Sequence, residues 1–168
     1  DKTLRLSFVV INVEREEDAY TVFESVNAKG ADLTLADILK NMIFRELKNN
    51  PGEEDIAQKQ WDRINNSLEG TGFQLSKFIR YHWLSKYGFL TESKLYDAIK
   101  KKLQSRQITI QSLLDDLVRD SERVKILKSG SVEDFSDFKS PRRVFNSIKG
   151  ISSMNVSQVY VLLLSILR

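Results

Sequence analysis

The sequence predicts a mainly α protein, with one N-terminal β-strand followed by a bundle of about seven or eight helices. Three observations carry that reading. Only two prolines and seven glycines occur in 168 residues, too few for a turn-rich all-β fold. Apolar residues recur at helical spacing from Glu16 onward. The alternation of a strand is confined to the opening TLRLSFVVINV, where Leu4, Leu6, Phe8 and Val10 alternate with Arg5, Ser7, Val9 and Ile11.

A lone strand cannot satisfy its own backbone donors and acceptors, so its sheet is expected upstream of Asp1 or on another molecule. In EEDAYTVFESVN the residues Ala19, Val22, Phe23 and Val26 make one helical stripe, and in LADILKNMIFRELKNN the residues Leu35, Ile38, Leu39, Met42, Ile43 and Leu47 make the next. IAQKQWDRINNSL is expected to bury Ile56, Trp61, Ile64 and Leu68 before a break at Gly70 and Gly72. FQLSKFIRYHWLSKY carries aromatics on much of its surface and is expected to be a central helix. Thr91 reads as the N-cap of TESKLYDAIKKKLQ. QITIQSL is too short to supply a partner strand, and the helix through SLLDDLVRDSERVKILKSG ends at Gly130. Polar VEDFSDFKSP precedes two more helices, around 142–149 and 156–168. No fixed repeat is visible, which argues against a solenoid.

The net charge of +3, from 26 basic and 23 acidic residues, permits contact with nucleic acid without demanding it. The absence of cysteine removes disulfides, thiolate metal sites and cysteine nucleophiles together, and fits a reducing cytoplasm. No signal peptide is visible, and VYVLLLSIL is about half of the ~20 residues a membrane span needs. A cytoplasmic protein with no membrane partner is expected. Residue 1 is Asp, and the final VSQVYVLLLSILR is apolar all round without an exit signal. The chain therefore reads as an excerpt of a longer polypeptide. Residues 1–49, a strand and two helices around a rigid corner, are expected to part from a helical domain over 50–168 that is truncated at its C-terminus.

The corner FESVNAKGADLTLADILKN is stiff by its composition. Gly30 falls where a left-handed backbone ends the first helix. Thr34 and Asp37 stand at capping-box spacing, and Leu33 and Ile38 fit a hydrophobic staple. Each device contributes about 0.5–2 kcal/mol. Glu24, Asn27, Lys40 and Asn41 are left over; they read either as solvated surface or as the lining of a polar site.

Other candidates for chemistry are few. His82 is the single histidine, which excludes an HNH nuclease or a two-histidine metal site within this chain and suggests a packed or partly exposed helix residue. The acidic pairs Glu16–Glu17, Glu53–Asp55 and Asp115–Asp116 offer carboxylates to a divalent cation, but the first two sit where helices begin and suit the dipole there. No metal site is expected. GTGF at Gly70–Phe73 lacks the lysine and length of a phosphate loop. Lys100, Lys101, Lys102 and Arg106 continue a helix whose apolar face is Leu95, Ile99 and Leu103. Arg142 and Arg143 open another helix at the end where the dipole disfavours cations. Both clusters are DNA-binding candidates, with a solvated face as the plain alternative.

The strand ending in VVINV and the following FE-x-VN-x-KG-x-x-LT-x-x-DILKN-x-IF resemble the GmrSD-type restriction family, also described as domain of unknown function 262. The matching positions are Phe23, Glu24, Val26, Asn27, Lys29, Gly30, Leu33, Thr34, Asp37, Ile38, Lys40, Asn41 and Phe44. FIRYHWLSKYGFLTESKLYDAIKKKL is similar to the same family's helical part. The resemblance is strong over Leu6–Leu47, looser to Leu103, and fades beyond. It implies a modification-dependent, DNA-directed defence protein that joins a ParB/sulfiredoxin-like domain to a helical domain. The parent protein would be an NTP-dependent nuclease using an NTP with Mg, sometimes with a separate HNH domain. Residues 1–49 would be the C-terminal edge of the ParB-like domain, and that upstream domain would be the partner. The family's DGQQR-type motif is absent from this chain, so no catalytic residue and no cofactor are expected within it. Glu24 and Asn27, with Lys40 and Asn41, would support a composite pocket. The competing expectation is a helical protein–protein interaction module with no nucleic-acid role.

Overall fold

The computed structural model describes residues 34–153 and 156–167. The expected N-terminal strand, the first helical stripe, Glu16–Glu17, Glu24 and Asn27 lie outside the described residues. Those described contain seven α-helices, two short 3-10 turns and no strand. The helices are α1 (Leu35–Leu47), α2 (Pro51–Leu68), α3 (Leu75–Tyr87), α4 (Leu95–Gln104), α5 (Ile110–Ser129), α6 (Pro141–Ser153) and α7 (Val159–Ile166). Residues Leu35–Arg168 form one compact unit. α1 therefore packs with the helices that follow it, whereas the sequence suggested a division at residue 49. Leu39 and Ile43 of α1 are fully buried in the same core as Trp61 and Ile64 of α2.

Both prolines open helices, Pro51 for α2 and Pro141 for α6, where the missing N–H has no intrahelical partner to lose. Glu53 and Glu54 in the first turn of α2 complement its dipole. The chain leaves α2 through Gly70 and Gly72, both left-handed at φ 73 and 76, so the break expected there is a pair of glycine-dependent turns. Thr91 precedes a 3-10 turn, Glu92–Lys94, and α4 begins only at Leu95. QITIQSL is no strand: Thr109 caps α5 in a capping box, accepting from Ser112 N at 3.0 Å while Ser112 Oγ accepts from Thr109 N at 2.9 Å.

Ile56 is a correction. It is 48% exposed, and the buried face of α2 runs Ala57, Trp61, Ile64 and Leu68. One residue turns the helix by about 100°, enough to carry Ile56 off the seam that α2 shares with α5, the broadest helix pair in the bundle.

α3 is central, as its aromatics suggest. Phe78, Ile79 and Trp83 enter the main core with α1, α2, α4 and α5. Tyr81, on another side of α3, joins Leu127, Phe135, Ile148 and Tyr160 in a second cluster beneath α6 and α7. A helix that packs on two sides must be apolar around most of its circumference. α1 and α3 are also tied by a polar contact: Ser76 Oγ accepts from Ala36 N at 3.1 Å, satisfying one of the orphan donors at the start of α1.

Candidate nucleic-acid interface

α4 is amphipathic by spacing. Leu95 and Ile99 are buried and Leu103 packs partly against the core, which turns Lys100 and Lys101 outward and leaves Lys102 half-buried. From Lys94 to Arg106 there are five cations and one anion, Asp97, an excess larger than the net charge of the whole chain. Among the described residues none of these five cations forms an ion pair. Elsewhere in the bundle four cations are paired. Arg63 pairs with Glu122 at 2.5 Å, Lys86 and Arg119 both hold Asp116, and Arg123 holds Asp120 at 2.7 Å.

Aromatic rings organise the tract from below. Lys100 Nζ lies 6.0 Å from the Tyr96 ring centroid, and Lys102 Nζ lies 4.6 Å from that of Tyr87. Lys102 also donates to Gln107 Oε1 at 2.9 Å. Lys101 and Lys102 sit in the last turn of α4, where the helix dipole favours cations. The dipole accounts for their position, but not for Arg106.

Arg106 was a candidate from the sequence, but its backbone conformation is a feature that sequence reasoning could not see. Its φ is 56, the one non-glycine residue with positive φ among the described residues. Arg106 N donates to Leu103 O at 3.0 Å, and Gln107 N donates to Lys102 O at 3.0 Å. These two bonds form a Schellman ending, in which the left-handed position is normally glycine. Arginine there costs roughly 1–2 kcal/mol of steric strain, and strained residues cluster where function constrains the chain.

Arg142 and Arg143 are exposed in the first turn of α6 and form no ion pair among the described residues. They stand on a separate helix, whose far end is tied to α5 where Ser152 Oγ lies 3.5 Å from Leu127 O. The α4 tract instead leads into the start of α5, a helix about 30 Å long. On α1, Asn41 is exposed, and Lys40 Nζ lies 5.6 Å from the Phe44 ring centroid. The partners expected for them, Glu24 and Asn27, lie outside the described residues.

His82 is packed, as expected, but not among apolar groups alone. At 1% exposure its Nδ1 lies 2.7 Å from Oδ2 of Asp120, itself 1% exposed, and this pair ties α3 to α5. Asp116, one of the carboxylates considered for a cation, is engaged by Lys86 and Arg119. Burial pushes its carboxyl pKa up, but the hydrogen bonds from Lys86 and Arg119 outweigh burial and hold that pKa below the ordinary value. Burial pushes the Lys86 ammonium pKa down, but hydrogen bonding, to Asp116 first, outweighs it and leaves that pKa raised. Asp115 accepts from Gln60 and Gln111 at 2.5 and 2.9 Å. No cluster of three potential metal ligands occurs among the described residues. No described helix is long and apolar enough to cross a membrane. Comparison with protein-family models, with curated proteins and with solved structures finds no match.

Proposed function

We propose that this chain is part of a modification-dependent, DNA-directed restriction protein in which the helical unit engages DNA and catalysis lies elsewhere in the parent protein. The observation that carries the reading is the unpaired cationic tract of α4, closed by an arginine held in a backbone conformation that glycine would adopt without strain. An electrostatic footprint of this kind is what phosphate contact requires. The resemblance over Leu6–Leu47 supports the restriction setting, with Lys40 and Asn41 at the edge of the composite nucleotide site and an upstream ParB-like domain as partner.

The test is DNA binding by the chain across a salt series. Binding should weaken steeply as salt rises, with the slope of log K against log salt shallower by about 2 for the variant with Lys100, Lys101 and Lys102 all changed to Ala. Each phosphate contact is worth roughly 0.9 in that slope, and Lys102 is partly spent on Gln107 and Tyr87. A chain that ignores DNA at about 50 mM salt refutes the reading. The competing one, a protein–protein interaction module, is favoured by Leu162 and Ile166, which are 58% and 68% exposed one turn apart on α7. It predicts partner binding that is indifferent to salt and to the α4 lysines.

A further inference from the structure

Phe89 is 84% exposed, the most exposed of the large apolar side chains among the described residues. It does not stand on a loose loop. Gly88 ends α3 at φ 89, a conformation that side-chain-bearing residues rarely adopt. On the other side, Leu90 packs against the main core. The backbone is anchored before and after Phe89, so the ring is held out in water by the geometry of the turn.

The chain next to it meets the α4 tract. Tyr87, two residues earlier, has Lys102 Nζ 4.6 Å and Lys86 Nζ 5.2 Å from its ring centroid, and Trp83 stacks at 4.5 Å. Those neighbours occupy Tyr87. Of the two rings flanking Gly88, Phe89 is the exposed one, and it lies two residues along the chain from the ring that Lys102 of the tract covers.

Resting on the DNA reading above, we infer that this chain binds single-stranded nucleic acid, with one unpaired base stacked on Phe89 and the adjoining phosphates running along Lys101, Lys102 and Arg106. Duplex binding needs the cations only, because its bases are already stacked on one another. Cations flanking an exposed ring are the combination that single strands require, since every base has a π-face and the backbone carries the charge.

The experiment measures affinity of the chain for a single-stranded thymidine oligonucleotide and for a duplex of equal length, in the parent, Phe89→Leu and Phe89→Trp forms. Phe89→Leu should weaken single-strand binding roughly five- to hundred-fold, the weight of one stacked base, and leave duplex binding unchanged. Phe89→Trp should retain affinity, and the oligonucleotide should quench the added indole. The exposure of Phe89 makes both variants safe for folding. If Phe89→Leu binds the single strand as the parent does and the indole is not quenched, the stacking inference fails while the DNA reading stands; that is the result expected of a ring that anchors a protein partner. If neither nucleic acid binds, both fall.

Discussion

Arg106→Gly separates folding from binding at one position. Arg106 occupies the left-handed residue of the Schellman ending of α4, with φ 56. Relief of its strain contributes about 1–2 kcal/mol, and the extra freedom of glycine in the unfolded chain gives back about 0.5–1 kcal/mol. The net expectation is a stabilisation of about 0.5–1 kcal/mol, or roughly 1–4 °C in Tm for a chain of this size. Because Arg106 is exposed and forms no ion pair among the described residues, nothing else is lost. Binding should move the other way, with the salt slope for DNA falling by about 0.9 for one phosphate contact. Arg106→Lys controls for charge and should keep both the strain and the slope. Arg106→Asn, which tolerates the left-handed region, should recover part of the stability and lose the slope. Thermal unfolding followed by far-ultraviolet circular dichroism, with salt titrations on the same samples, reads both quantities. A glycine variant no more stable than the parent refutes the strain argument; one that keeps the full salt slope refutes the assignment of Arg106 to phosphate.

Three further outcomes are expected. Asp120→Ala removes the buried acceptor of His82 and Arg123 and should cost about 3–5 kcal/mol in denaturant unfolding, whereas His82→Leu with Asp120→Leu should recover part of that loss; an Ala variant within about 0.5 kcal/mol of the parent refutes the pair's role. Gly130→Ala would bring a Cβ within 2.4 Å of Ile126 O and should lower stability by about 1–3 kcal/mol, with unchanged Tm as the refuting result. Asp116 has its pKa held below the ordinary 3.8, so its contribution is present above that pH and is lost as pH falls through the depressed value. Lys86, raised above 10.5, loses its share only as pH rises through its own raised value. The stability gap between the parent and Asp116→Asn should therefore be flat across neutral pH and close in acid; a gap that persists at pH 2 argues against the ion pair.

Much of the bundle was legible because its signals are local. The stripe Leu35, Leu39, Ile43 and Leu47, the aromatic density of α3 and the two glycines after α2 each act within a few residues. Ile56 was misplaced because Ala57, small enough to be overlooked, takes the buried position beside it. Thr109 and Ser112 were missed because a serine replaces the usual acidic partner of the box and β-branched neighbours suggest a strand. The binding tract shows the same division. The lysines of α4 are a local run and were visible. Asp120 meets His82 across 38 residues, and no spacing rule announces such a partner. Arg106 was visible as a cation, but its left-handed backbone was not, because the turn is made without glycine.

The distribution of charge gives these features a common logic. Arg63, Lys86, Arg119 and Arg123, on α2, α3 and α5, are matched by Glu122, Asp116 and Asp120, and those pairs act within the bundle. The cations from Lys94 to Arg106 outnumber Asp97 five to one, and the remainder of the chain is then slightly acidic. A cationic tract on a nearly neutral body orients a polyanion toward that tract, an effect on association rate that salt suppresses. It follows that Asp120 and Gly130 variants should lower stability and keep the parent salt slope wherever they remain folded, while Lys100 and Lys101 variants should do the reverse. Arg106 is the one residue of the tract where the two properties are bound together, because the backbone is strained at the same position that carries the charge.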